Sequence, residues 1–138
     1  MYETILLPLD GSQADATIVE HVRALAAQLG SRVVLLRVLT SAQARFRGDE
    51  AGGAEVEGCR SYLEEVRRGF EASGVVAQAE LAYGEPTDEI VRWVERNGCD
   101  LVAMGTHGHR WLSDMVLGFT ATRVQHAVSV PVLLLRSK

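Results

Sequence analysis

No stretch of this sequence approaches the roughly 18 apolar residues that a membrane-spanning helix needs. The opening Met1-Tyr2-Glu3-Thr4 lacks the basic segment and long apolar run of a secretory leader. A cytoplasmic location is therefore expected. The two cysteines, Cys59 and Cys99, are too few for a disulfide framework or a zinc set and read as reduced packing thiols. Positive charge is also short: the formal net charge is −4, which argues against a protein that grips nucleic acid through its phosphates.

What is present suits one globular α/β domain spanning residues 1–138, with 47% hydrophobic and 23% charged residues. Strand and helix signals alternate. Thr4 to Leu9 is a short, nearly continuous apolar run, as expected of a strand covered on both faces. Asp10-Gly11-Ser12 ends it, with Ser12 placed to cap a helix whose face is Ile18, Val22, Leu25 and Leu29, and Gly30 stops that helix. Arg32 to Leu39 is the second buried strand. Residues 40–53 have no period and read as a loop that could close over a ligand. From Ala54, the spacing of Val56, Cys59, Leu63, Val66 and Phe70 marks an amphipathic helix ending near Gly74.

Val75 to Ala82 mixes polar and apolar residues, which suits an edge strand. Pro86 opens the next helix, with Asp88 and Glu89 in its first turn and Ile90, Val91, Trp93 and Val94 on its packing side. Asp100 to Met104 is the fourth strand. A glycine-bearing loop follows to Gly118, then a short helix from about Thr120 to Ala127, then a fifth strand, Val130 to Leu135. Five strands with helices between them predict an open, mostly parallel sheet with helices on both faces. Ligands bind such sheets beyond the strand C-termini, where the winding direction switches. Asp10, the end of the second strand and the loop after Met104 are thereby brought to one edge.

Glycines after a buried strand let backbone N–H groups approach a ligand, and a helix N-terminus adds a favourable dipole for phosphate. Gly105, Gly108 and Gly118 are so placed. The segment holds no Walker G-x-x-x-x-G-K-[ST] and no lysine, and no G-x-G-x-x-G follows the first strand. His107 and His109 lack an obvious third metal ligand; with Arg110, His109 is better placed as a phosphate-side charge.

Ile5-Leu6-Leu7-Pro8-Leu9-Asp10-Gly11-Ser12 resembles the opening strand of the universal stress protein family. Gly84-Glu85-Pro86 is similar to that family's third-helix start. Asp100-Leu101-Val102-Ala103-Met104-Gly105-Thr106-His107-Gly108, then Gly118 and Val130-Pro131-Val132-Leu133-Leu134-Leu135-Arg136, resembles its C-terminal half. The resemblance implies an adenine-nucleotide alpha-hydrolase-like sheet of order 3-2-1-4-5 and a site for ATP with Mg²⁺. Pro8, Leu9 and Asp10 would lie near the nucleoside, and Val38 would offer backbone contacts to adenine. Met104 and Gly105 would border the ribose and phosphates, with Gly108, His109, Gly118, Phe119 and Thr120 around the phosphates.

The family pattern is G-x-x-G, nine residues, then G followed by Ser or Thr, and Phe119 stands at that last position. The hydroxyl contact to phosphate is lost there. The backbone N–H of residue 119 can still donate, and Thr120 offers a hydroxyl one position late, turned by roughly 100°. The resemblance also implies a homodimer through the last strand, Val130 to Leu135. Two functions follow: a nucleotide-operated stress-response switch, or a relative without nucleotide that acts through dimerisation and protein partners. No general base or transition-state cation for hydrolysis is identifiable. A phosphoacceptor domain is disfavoured because Asp10 stands without an acidic cluster.

Overall fold

The computed structural model describes residues 1–40, 50–107 and 120–137. Its elements are β1 (Thr4–Leu9), α1 (Asp15–Leu29), β2 (Arg32–Leu39), α2 (Glu50–Ala72), β3 (Ala77–Tyr83), α3 (Pro86–Asn97), β4 (Leu101–His107), α4 (120–127) and β5 (Val132–Ser137). All four strand pairings are parallel and the order is β3-β2-β1-β4-β5, as expected.

Alternate positions on each strand face opposite sides, and that alternation sorts the apolar residues into two cores. Ile5, Leu7, Leu9, Val33, Leu35, Leu101 and Ala103 pack with Ile18, Val22 and Ala26 of α1 and with Leu63 and Phe70 of α2. Leu6, Val34, Leu36, Val38, Val102 and Met104 pack on the other side with Ile90 and Val94 of α3 and with Ala121 and Val124 of α4. Each fully buried aliphatic side chain contributes about 1.5–3 kcal/mol, which is why strands buried on both faces read as unbroken apolar runs. Trp93 packs against the second core and Cys99 is buried beside it.

Several boundaries differ from the sequence reading. Residues 50–53 belong to α2 rather than to a loop, and residues 41–49 lie outside the described residues. β3 starts two residues later than expected, at Ala77. β4 continues past Met104 because Gly105, Thr106 and His107 pair with Leu135, Arg136 and Ser137 of β5. β5 starts at Val132 instead of Val130: Pro131 has no N–H to donate, and enters only by accepting from the Val102 N–H at 3.0 Å.

Gly105 lies where β4 passes closest to α1. A Cβ added there would meet Ile18 Cγ2 at 3.3 Å and Ile18 Cβ at 3.4 Å. Its missing side chain is thus accounted for by helix packing. Gly105→Val is expected to lower the unfolding free energy by about 1–3 kcal/mol through overpacking. Urea denaturation checks this, and an unchanged midpoint would mean that Ile18 gives way.

Candidate functional site

β1 is joined to β4 firmly at one end and not at the other. At the entry end, the Asp100 carboxylate accepts from the Glu3 N–H at 2.9 Å and the Thr4 N–H at 3.0 Å. The Asp100 N–H donates to the Thr4 carbonyl at 3.0 Å, so the even-numbered positions of β1 turn their backbone groups toward β4. Pro8 is the even position near the exit and has no N–H to offer. The β1–β4 register accordingly stops at Leu6↔Val102. β1 stays paired with β2 through Leu9↔Arg37, and β4 with β5 through His107↔Ser137. The pairing of the two central strands thus ends before their C-terminal ends, where the order of connection reverses. This is the switch-point crevice of an open α/β sheet.

The loop leaving β1 forms one lip of the crevice. Gly11 takes a φ of 81°, a left-handed conformation that glycine adopts without steric cost. Asp10 Oδ1 accepts from the Ser12 N–H at 2.9 Å, closing an Asx turn. Ser12 is not the helix cap that the sequence suggested. Its Oγ accepts from the Ala14 N–H at 3.3 Å, and α1 starts at Asp15 after Ala14, with no side-chain cap. The turn residues are occupied with one another, so the helix begins later.

Asp15 was not singled out from the sequence, yet it organises this loop. It is 3% exposed. Its Oδ2 accepts from the Gly11 N–H at 2.9 Å and from the Tyr62 hydroxyl of α2 at 2.6 Å, and its Oδ1 accepts from the Asp10 N–H at 3.3 Å. Burial pushes the Asp15 carboxyl up from 3.8 to about 6. The negative Asp10 adds to the rise, while the Tyr62, Gly11 and Asp10 donors oppose it. Burial, with the Asp15 acceptor next, raises the Tyr62 phenol above its usual value, so it remains a donor. Arg37 lies beside the loop: its Nε is 4.0 Å from where a Gly11 Cβ would sit, and its Nη1 donates to the Val38 carbonyl at 3.1 Å. A signal for Asp15 did exist. It falls three residues before Ile18, on the stripe continued by Val22 and Ala26, where a carboxylate needs a partner.

Pro8 and Leu9 end β1, Asp10 follows them, Val38 is the penultimate residue of β2, and Met104 and Gly105 lie on β4 beyond its pairing with β1. The structure brings these six to one sheet edge. The Met104 side chain is buried in the second core, and the residue pairs with Leu134 of β5. Thr120 lies in α4 and is buried. One turn further, Arg123 Nη1 is 3.3 Å from Glu85 Oε1, while Glu85 Oε2 caps α3 by accepting from the Asp88 N–H at 3.0 Å. Gly108, His109, Gly118 and Phe119 lie outside the described residues.

An open parallel α/β sheet with helices on both faces defines an architectural class of domains. Within that class, residues 1–136 match the universal stress protein family. Universal stress protein MJ0531 of Methanocaldococcus jannaschii is 30% identical over 144 residues, covering 99% of this chain and 83% of the relative. Universal stress protein MJ0577 of the same organism is 26% identical over 157 residues, covering 100% and 97%. The solved structure of MJ0577 superposes with a TM-score of 0.85 at 28% identity, over 100% of this chain and 98% of that one. The chain belongs to the universal stress protein family. Two more distant members share the fold. One is a universal stress protein in complex with cAMP, with TM-score 0.78, 19% identity and coverage of 99% of both chains. The other comes from Archaeoglobus fulgidus in complex with dAMP, with TM-score 0.71, 18% identity and coverage of 96% and 97%.

The raised Asp15 carboxyl has a signed consequence for stability. Folded protein keeps this proton up to about pH 6, whereas the unfolded chain releases it near 3.8. Between those values the folded state binds more protons, so this group's contribution to stability falls as pH rises from about 4 to 6 and is level above. Measured against Asp15→Asn, whose side chain does not titrate, wild-type stability should drop by about 2–3 kcal/mol across that window, at about 1.4 kcal/mol per unit. Paired urea titrations at pH 4 and pH 7 read this double difference; a constant difference would refute it.

Proposed function

We propose that this chain is a cytoplasmic adenine-nucleotide-binding module, one domain over residues 1–138, that takes ATP with Mg²⁺ and acts as a regulatory binding switch. The observation that carries this reading is the end of the β1–β4 pairing at Leu6, at the topological switch point beside Asp10 and Gly11. Support comes from two relatives of the same fold in complex with adenine nucleotides, cAMP and dAMP. Pro8, Leu9 and Asp10 would border the nucleoside, with the Val38 backbone beside adenine and Met104 and Gly105 along the ribose. Gly108, His109, Gly118, Phe119 and Thr120 would surround the phosphates. Mg²⁺ would ride on the phosphates and keep most of its water, as this ion usually does. The nucleotide would work by binding one conformation better than another.

β5 is an edge strand whose Leu134 is 39% exposed and whose Val132, Leu133 and Leu135 are only partly covered. An apolar edge of this kind favours pairing with another strand. We assign it to a homodimer through the last strand. Sedimentation at micromolar concentration should give twice the chain mass, and a monomer would oppose the assignment.

A second reading rests on Phe119, which replaces the hydroxyl residue of the family's phosphate pattern. In it the protein binds no nucleotide and acts through its dimer and partners. Calorimetry with ATP and Mg²⁺ separates the two readings. Micromolar binding that is lost in Gly108→Trp supports the nucleotide site. ATP at about 100 times its Kd would add about 2.7 kcal/mol of stability. No heat and no thermal stabilisation at millimolar ATP would leave the second reading.

A further inference from the structure

The geometry points to a proton-operated latch: ionised Asp15 holds the β1–α1 loop in place by gathering the Asp10 and Gly11 amides and the Tyr62 hydroxyl, and protonation of Asp15 releases that loop.

Three donors converge on two oxygens, with the Gly11 N–H and the Tyr62 hydroxyl sharing Oδ2 and the Asp10 N–H on Oδ1. A carboxylate accepts all three as charge-assisted bonds, whereas a carboxylic acid carries a proton on one oxygen and offers only weaker, uncharged acceptance. The Tyr62 hydroxyl can rotate to accept that proton and keep a strong bond, but the Asp10 and Gly11 amides can only donate, so the loop is the part whose bonds weaken. Tyr62 lies 47 residues from Asp15 in sequence, on α2, so the latch also ties α1 to α2.

The surrounding charges favour a transition under mild acidification. Asp10, from the loop itself, repels the ionised form, and burial places the carboxyl near 6. Arg37, from β2, acts on Tyr62 and stands beside Gly11. On β4, the position against the start of α1 is Gly105, which has no side chain. His107 is two residues further along β4, and its side chain lies outside the described residues. It therefore needs its own control.

Resting on the nucleotide reading, the latch also couples occupancy to pH, because the loop it holds carries Asp10. If binding requires the ionised form, affinity for ATP falls about tenfold from pH 7 to pH 5, the limit for one proton titrating near 6.

The test begins without nucleotide, by following the Gly11 and Ser12 amide resonances from pH 4 to pH 8. Wild type should show a transition near pH 6 that disappears in Asp15→Asn and persists in His107→Gln. Tyr62→Phe should move the midpoint upward, since the phenol favours the ionised carboxylate; this variant decides the matter if Asp15→Asn does not fold. A Gly11 amide that does not titrate, or one that titrates unchanged in Asp15→Asn, overturns the latch. Calorimetry with ATP follows at pH 7 and pH 5. A wild-type loss several-fold larger than that of Asp15→Asn supports the coupling, and equal losses overturn it. Absence of ATP binding at every pH defeats the nucleotide reading and the coupling together, while the amide titration still decides the latch.

Discussion

Strand β1 must satisfy a neighbour along each edge and a packed layer on each face, and Pro8 is the position in it that has no backbone hydrogen to give. A proline in a central strand normally costs a ladder bond. Here that bond would have crossed to β4, and both strands are still held through their outer neighbours. Asp100 pins them at the opposite end with two short bonds to the β1 backbone. The result is a wedge rather than a break. It closes at the entry end, opens at the exit end, and delivers the β1–α1 loop to the opening.

That loop carries an electrostatic conflict. Three hydrogen-bond donors favour the ionised form of Asp15, and burial with a neighbouring Asp10 opposes it. Because the carboxyl still ends near 6, desolvation is the larger effect. Above that pH the protein therefore holds a buried charge that lowers the stability of the fold while it orders the loop. Conflicts of this sort, in which stability is given up locally, gather where a protein binds or switches. Packing alone would have been served as well by an apolar residue on the stripe with Ile18 and Val22.

The alternation of strands and helices was legible because burial on both faces imposes long apolar runs, and because Gly30, Pro86 and Gly98 punctuate the helices. Ends were harder. β4 runs through Gly105 because pairing with β5 outweighs glycine's weak preference for strands, and β5 waits for Val132 because of Pro131. Ser12 misled because its hydroxyl had a nearer partner than the helix. Asp10 and the segment after Val38 could be placed at the C-terminal edge of the sheet from topology alone. The Asp15–Tyr62 pair could not, since no local pattern links residues so far apart and an acidic residue in a first helical turn is ordinary.

The two sides of the crevice are held by ties of different chemistry. On the β1 side the tie is buried and titratable, so it is sensitive to protons and little affected by salt. On the side of α3 and α4 it is the Glu85–Arg123 pair, whose side chains are 41% and 59% exposed. A pair so exposed contributes about 0–1 kcal/mol and is screened by salt. The cap that Glu85 gives α3 uses its other oxygen, so α3 keeps its start when the pair is screened. Protons therefore act on the tie beside Asp10 and salt on the Glu85–Arg123 contact, while Ala121 and Val124 keep α4 packed in the second core. One charge lies inside the protein and the other pair lies outside it, so the two contacts answer to different solution variables.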